Sequence, residues 1–121
     1  MGVRKAHADL VQELQSFKSG VTRRNGISLV GSMLQESLDP KLVKRFRERL
    51  VVPRRRRIRH ILERARELGV VAESADLDYA AAAATGVLYS LALAGSAIGP
   101  DWPSRTAALV WRACGGEAAP H

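Results

Sequence analysis

The chain is poor in cysteine and in aromatic residues, and each shortage excludes a class of protein. Cys114 is the only cysteine among 121 residues, which excludes an intrachain disulfide and a cysteine-based metal cluster. Aromatic residues make up only 5% of the chain, whereas alanine is abundant. Sheets favour aromatic and β-branched residues, while alanine suits close-packed helices. The composition therefore predicts an all-α fold in a reducing compartment, the cytoplasm.

The sequence also lacks the usual signals for secretion and membrane insertion. The charged N-terminus is not followed by the apolar segment of a secretory signal. Residues 79–100 are uncharged over a length that could span a bilayer, but Ala, Gly, Ser and Thr insert weakly and acidic residues flank the stretch. We therefore expect no membrane span but a helix buried on nearly all sides. The length predicts one domain over residues 1–121, with tails at 1–6 and 115–121.

No catalytic or metal-binding arrangement is visible in the sequence. The only histidines are His7, His60 and His121, and a metal site would have to combine His60 with Glu63 or Glu67, a pairing that is common on helix surfaces. No glycine-rich phosphate loop follows a strand. Cys114 lies in an apolar stripe and is expected to be inert. The sequence thus predicts a protein that is not an enzyme and holds no cofactor and no metal.

Positive charge is concentrated in one segment. Residues 39–68 contain twelve Lys or Arg and four acidic residues, a net charge of +8 in a chain whose formal charge is +7. The arginine-rich centre at 51–60 resembles a nucleic-acid-binding arm by composition. It also lies inside a helical apolar pattern and has no aromatic residues for stacking on bases, which favours a solvated helix face. Direct nucleic-acid binding through residues 44–66 stays an alternative.

Apolar spacing and breaker residues predict five helices. Their approximate ranges are 7–24, 27–37, 40–68, 76–94 and 101–114. Pro53 predicts a kink or break in the third, and Gly69 its end. Ser74 or Asp76 is expected to cap the fourth helix, and Asp101 the fifth. The fourth helix carries two apolar stripes, which are Ala80, Ala84, Val87, Leu91 and Ala94, and Ala82, Gly86, Tyr89 and Leu93.

Arg54 is the most informative charged residue. Helical spacing points it into the apolar stripe formed by Ile58, Ile61, Leu62 and Ala65. A guanidinium on an apolar face needs a partner, because burying an unpaired charge is costly. That partner could be an internal carboxylate or an anionic ligand in a pocket, and a third alternative is that the side chain snorkels past the edge of the core.

Two stretches together carry a family resemblance. They are DPKLVKRFRERLVVPRRRRIRHILERARELGVV, starting at Asp39, and DLDYAAAAATGVLYSLALAG, starting at Asp76. The pattern resembles the C-terminal, effector-binding and dimerising domain of TetR-type transcriptional regulators, over about residues 10–113. The family's N-terminal helix-turn-helix is not recognisable here, so the resemblance implies DNA binding only through that absent domain.

The resemblance implies a five-helix bundle whose last two helices pair with those of a second copy as a four-helix bundle. On this sequence the implied dimer interface is Ala82, Gly86, Tyr89, Leu93, Leu109, Val110 and Ala113. It also implies a small, partly apolar effector. A carboxylate on this effector would face Arg54 and make the effector an anion. Residues that could line its cavity are Phe17, Met33, Phe46, Arg54, Ile58, Tyr89 and Trp111.

Overall fold

The computed structural model of the chain describes residues 2–22 and 40–115, apart from the side chains of Thr22, Leu42 and Phe46. Helix α1 spans Gly2–Thr22, α2 Pro40–Phe46, α3 Val52–Glu67, α4 Leu77–Leu93 and α5 Trp102–Ala113, and a π-helical turn occupies Arg47–Val51. Over these residues the fold is all helical, with no strand. The helix predicted over 27–37, like Met33 within it, lies outside the described residues.

Helix α1 begins earlier than its apolar pattern predicted. The expected start near His7, and with it a tail over residues 1–6, is wrong because the helix already begins at Gly2. Ala6 is buried, and it precedes the buried Leu10, Leu14 and Phe17 by helical steps. A small alanine adds little to a hydrophobicity pattern, so the sequence gives a weak signal for this first turn.

Residues 40–67 form a helix with an interruption, as Pro53 predicted. Helices α2 and α3 are joined by the π-helical turn, and Pro53 lies in the first turn of α3. Proline has no N–H to donate, and its ring collides with the carbonyl four residues earlier, here that of Arg49 within the turn. Widening the helix relieves this clash without ending the helix. None of the five residues of the turn is buried.

The ends of α3 and α4 are set by glycine, and for α3 this is the predicted Gly69. Gly69 and Gly95 have φ values of 79° and 73°, a conformation that residues with a Cβ adopt at a cost. In each case the glycine N–H donates to the carbonyl three residues earlier, and the next residue's N–H reaches back five residues. This double hydrogen bond satisfies carbonyls that the helix leaves without partners.

The two predicted N-terminal caps differ in outcome. Asp76 caps α4, because its carboxylate accepts a hydrogen bond of 3.0 Å from the backbone N–H of Tyr79. Asp101 stands at the corresponding position of α5, but its side chain makes no capping bond, so the second prediction is wrong. The Asp101 carboxylate lies 3.9 Å from Arg105 instead, and the Ser104 hydroxyl donates to the Asp101 carbonyl.

The core lies where α1, α3, α4 and α5 meet. Helix α1 packs against α3 and α5, α4 packs against the same two helices, and α1 and α4 also contact each other. The largest fully buried side chains come from all four helices and are Leu10, Leu14, Ile58, Leu62, Leu88 and Trp111. No described helix has the length and apolar character needed to cross a bilayer.

Helix α4 turns to the core a row of residues that only partly overlaps the first of its two predicted apolar stripes. The buried residues are Leu77, Ala81, Ala84, Thr85 and Leu88. Of that first stripe, Ala84 is buried, Ala80, Val87 and Leu91 are half-buried against the core, and Ala94 is exposed. Almost every position of this helix is apolar, so periodicity could not choose the face. The opposite face, carrying Tyr79, Ala83, Gly86, Ser90 and Leu93, points outward and contains no charged residue.

Candidate ligand-binding site

An open groove of about 780 Å³ runs between α1 and α3. Helix α1 lines it with one face, namely Asp9, Gln12, Glu13 and Ser16. Helix α3 contributes the opposite wall, namely Arg54, Arg56, Arg57, His60 and Ile61. The α1 residues are spaced three and four apart, as one helix face requires. The groove is therefore built by two antiparallel helix faces rich in hydrogen-bonding and charged groups.

Arg54 points inward as its helical position predicted, and its partner is an internal carboxylate. Its guanidinium Nη1 pairs with Glu13 of α1, and the two side chains are only 18% and 12% exposed. This confirms the first of the three alternatives for Arg54. Glu13 also accepts a hydrogen bond from Arg57 Nε at 2.7 Å. One mostly buried carboxylate thus joins two arginines of α3 to α1.

Next to this ion pair lies a cluster of aromatic rings. The Arg54 guanidinium lies 5.7 Å from the ring centre of Phe17, which is within the range of a cation–π interaction. Phe17 meets Tyr89 of α4 edge to face at 5.5 Å and Trp102 of α5 at 6.2 Å. The cluster therefore links all four helices of the core. The Trp102 indole N–H is buried and has no hydrogen-bond partner among the described residues.

The electrostatics of Tyr89 follow from this position. Burial raises the pKa of its hydroxyl, because the charged phenolate is poorly solvated there, while the positive charges of Arg54 and Arg55 act in the opposite direction. Tyr89 is thus a neutral group at physiological pH. It can contribute a hydrogen bond and ring area, but no charge.

Comparison with known families agrees with this all-helical arrangement. A family model described as the tetracyclin repressor-like C-terminal domain matches residues 5–110. The chain belongs to this family. No curated protein and no solved structure matches the chain with significant similarity. TetR-like C-terminal domains belong to transcriptional regulators and are typically not enzymes, which assigns the chain to regulators of the TetR type.

The structure brings together some of the residues predicted to line a TetR-type ligand cavity. Phe17, Arg54 and Tyr89 are neighbours in the aromatic cluster. Ile58 is fully buried in the core, and Trp111 packs on His7 at 5.1 Å instead of on this cluster. Met33 and the side chain of Phe46 lie outside what the structure describes.

Two residues of the site were missed by the sequence reasoning. Glu13 has a detectable signal, because it lies one turn before Phe17 at the edge of the buried α1 stripe, where an acidic residue can reach an inward arginine. Trp102 has none, since nothing in the local pattern relates the start of α5 to the middle of α1.

Of the seven residues predicted for the dimer interface of a TetR-type domain, three are exposed, three are half-buried and one is buried. Leu93 and Leu109 are 69% and 60% exposed, Ala113 is exposed, and Ala82 and Gly86 are half-buried. Tyr89 is half-buried against Phe17. Val110 is the buried residue, and it lies in the core of its own chain at 3% exposure. The outward face of α4 adds Tyr79, at 75% exposure, and Ala83.

Internal carboxylates neutralise several charges of the arginine-rich run. Glu13 binds Arg54 and Arg57, while Arg59 donates to Glu63 at 2.8 Å and to Asp78 at 2.5 Å. These two acceptors raise the pKa of Arg59, and the hydrogen bond that Arg59 donates to Glu63 contributes most. Part of the run therefore forms ion pairs that join α3 to α1 and α4, and fewer of its positive charges are left to bind nucleic acid. Among the described residues no cluster of potential metal ligands is found.

Proposed function

We propose that this chain is the ligand-sensing and dimerising domain of a TetR-type regulator, working in the cytoplasm. Binding of a small, partly apolar effector would change the DNA affinity of a helix-turn-helix head elsewhere in the regulator. An effector achieves this only if it binds one arrangement of the dimer more tightly than the other. We further propose that the chain folds as a single domain of five helices.

The observation that carries the proposal is the outward face of α4. Exposed apolar side chains that lie singly are normal, but an uncharged face along a whole helix marks an interaction surface. The face combines large residues at its ends, Tyr79 and Leu93, with small ones between them, Ala83, Gly86 and Ser90. Small residues allow a second helix to approach closely. Leu109 and Ala113 of α5 are exposed as well, and they would add apolar area to a symmetric pairing of α4 and α5.

Gly86 offers a test of this pairing that leaves the monomer intact. A Cβ placed at Gly86 would meet no atom within 4 Å, so a larger side chain fits the isolated chain. Gly86→Glu should also improve helix propensity, by about 0.5 kcal/mol. In a closely packed dimer the same side chain would separate the two α4 helices and bury a charge. We therefore expect Gly86→Glu to remain folded and to become monomeric.

Light scattering coupled to gel filtration measures the outcome. The wild-type chain should have roughly twice its 13.2 kDa monomer mass, and Gly86→Glu a mass near one monomer. Gly20→Glu is the matched control, because a Cβ at Gly20 of α1 likewise meets no atom within 4 Å and lies outside the proposed interface. A wild-type chain that is monomeric at tens of micromolar would contradict the dimer. Dissociation by both substitutions would contradict its location.

A further inference from the structure

The groove between α1 and α3 carries an excess of positive charge around its two carboxylates. Asp9 is shared by Lys5 at 3.1 Å and Arg64 at 3.4 Å. Glu13 is shared by Arg54 and Arg57. Each carboxylate therefore faces two cations, and Arg56 adds a further charge to the wall. An anion entering the groove would meet more positive charge than the protein itself neutralises.

The cations differ in how accessible they are. Arg54 is mostly buried, stacked near Phe17 and held by Glu13, so it is poorly placed to contact a visiting ligand. Arg57 is 51% exposed, and its bond to Glu13 uses Nε, which leaves its Nη amino groups as donors. A planar guanidinium of this kind matches carboxylate and phosphate oxygens. The accessible anion-binding group is thus Arg57, three residues beyond Arg54.

We propose that this groove binds a small organic anion, with a carboxylate or phosphate head on Arg57 and Arg56 and a short apolar body against Ile61 and the aliphatic stems of the arginines. This rests on the proposed sensing function and assigns the chemical class of the effector. Glu13 is then an internal competitor, because its carboxylate occupies one guanidinium edge that the ligand could use. His60, exposed on the same wall, supplies a further polar contact.

If Glu13 competes with the anion, its substitution should change the anion affinity in a direction that a purely structural role would not produce. Removing its charge by Glu13→Gln should tighten anion binding, because two arginines lose their internal partner. Removing the charge of Arg57 by Arg57→Gln should weaken it. A residue that merely held the fold together would weaken binding when substituted, so opposite signs at the two positions distinguish a competitor from a scaffold.

The experiment is isothermal titration of the 121-residue chain with hexanoate, hexyl phosphate and hexanol. We expect the two anions to bind and hexanol to bind at least about fivefold more weakly, because it lacks the charged hydrogen-bonding head. Arg57→Gln should raise the Kd of both anions about fivefold, and Glu13→Gln should lower it severalfold. Arg55→Gln is the control, since it removes the same charge from an exposed position of α3 outside the groove and should leave the Kd unchanged.

The outcomes separate this proposal from the sensing function on which it rests. If hexanol binds as tightly as hexanoate and Arg57→Gln has no effect, the anion site is refuted, while an apolar effector remains compatible with sensing. Equal weakening by Arg57→Gln and Arg55→Gln also refutes the site, because it would reflect net charge alone. Should Glu13→Gln fail to fold, the comparison of Arg57→Gln with Arg55→Gln still decides. A preference between hexanoate and hexyl phosphate identifies the head group.

Discussion

The ion pair between Glu13 and Arg54 should contribute more to stability than the other ion pairs of the chain. Breaking a fully buried pair by removing one partner costs about 3–5 kcal/mol, since the remaining charge is left without compensation. The side chains of Glu13 and Arg54 are 12% and 18% exposed, so partial solvation reduces this cost. We expect Glu13→Gln to lower the free energy of unfolding by about 2 kcal/mol. For a domain of this size the melting temperature should fall by about 8 °C.

Urea denaturation followed by circular dichroism measures this change, and the chain provides a matched control. Glu48 pairs with Lys44 at 3.9 Å, and both side chains are exposed. Glu48→Gln should therefore cost less than about 0.5 kcal/mol. Arg54→Met, added to Glu13→Gln, should restore part of the loss because it removes the unpaired charge. Equal stability of Glu13→Gln and Glu48→Gln would refute the reasoning, since the pair would then behave as a surface contact.

Two further predictions concern the titration of His7 and the arginine-rich run. Burial lowers the pKa of His7 below 6.5, and its Nε2 has no hydrogen-bond partner among the described residues. On acidification the unfolded chain therefore takes up the proton before the folded chain does, so the contribution of His7 to stability should be complete above about pH 6.5 and decline below it. His7→Leu should flatten this part of the profile of urea midpoint against pH. An unchanged profile would contradict the assignment to His7. Because carboxylates pair with Arg54, Arg57 and Arg59, the isolated chain should bind duplex DNA weakly and with a shallow dependence on salt concentration. A steep salt dependence that is lost when Arg55 and Arg56 are changed to Ala would instead favour the nucleic-acid alternative.

The features that the sequence predicted correctly depend on strong local physics. Pro53 removes a backbone donor wherever it sits in a helix, and Gly69 adopts a conformation that other residues avoid. The inward direction of Arg54 follows from helical geometry alone, since it precedes Ile58 by one turn. Each of these predictions needed only the neighbouring residues.

The features that were missed depend on residues far apart in the chain. The choice of buried face on α4 is set by which alanines fit against α3 and α5, and alanines at other positions look alike to a hydrophobicity pattern. The pairing of Glu13 with Arg54 joins positions 41 residues apart. Tertiary packing decides such alternatives, and a single sequence does not encode them in any local pattern.

The groove and the outward face of α4 are connected by a short series of contacts. Glu13 binds Arg54, Arg54 lies over Phe17, and Phe17 meets Tyr89 of α4 edge to face. Tyr89 sits between the buried row of α4 and its outward row, which contains Gly86 and Leu93. An anion that draws Arg57 away from Glu13 would leave Arg54 as the one arginine on that carboxylate. The resulting shift of the Glu13–Arg54 pair would change the positions of Phe17 and Tyr89. Under the proposed function, this makes a change at the groove able to bias the placement of α4, provided that the ligand binds the two placements with different affinities.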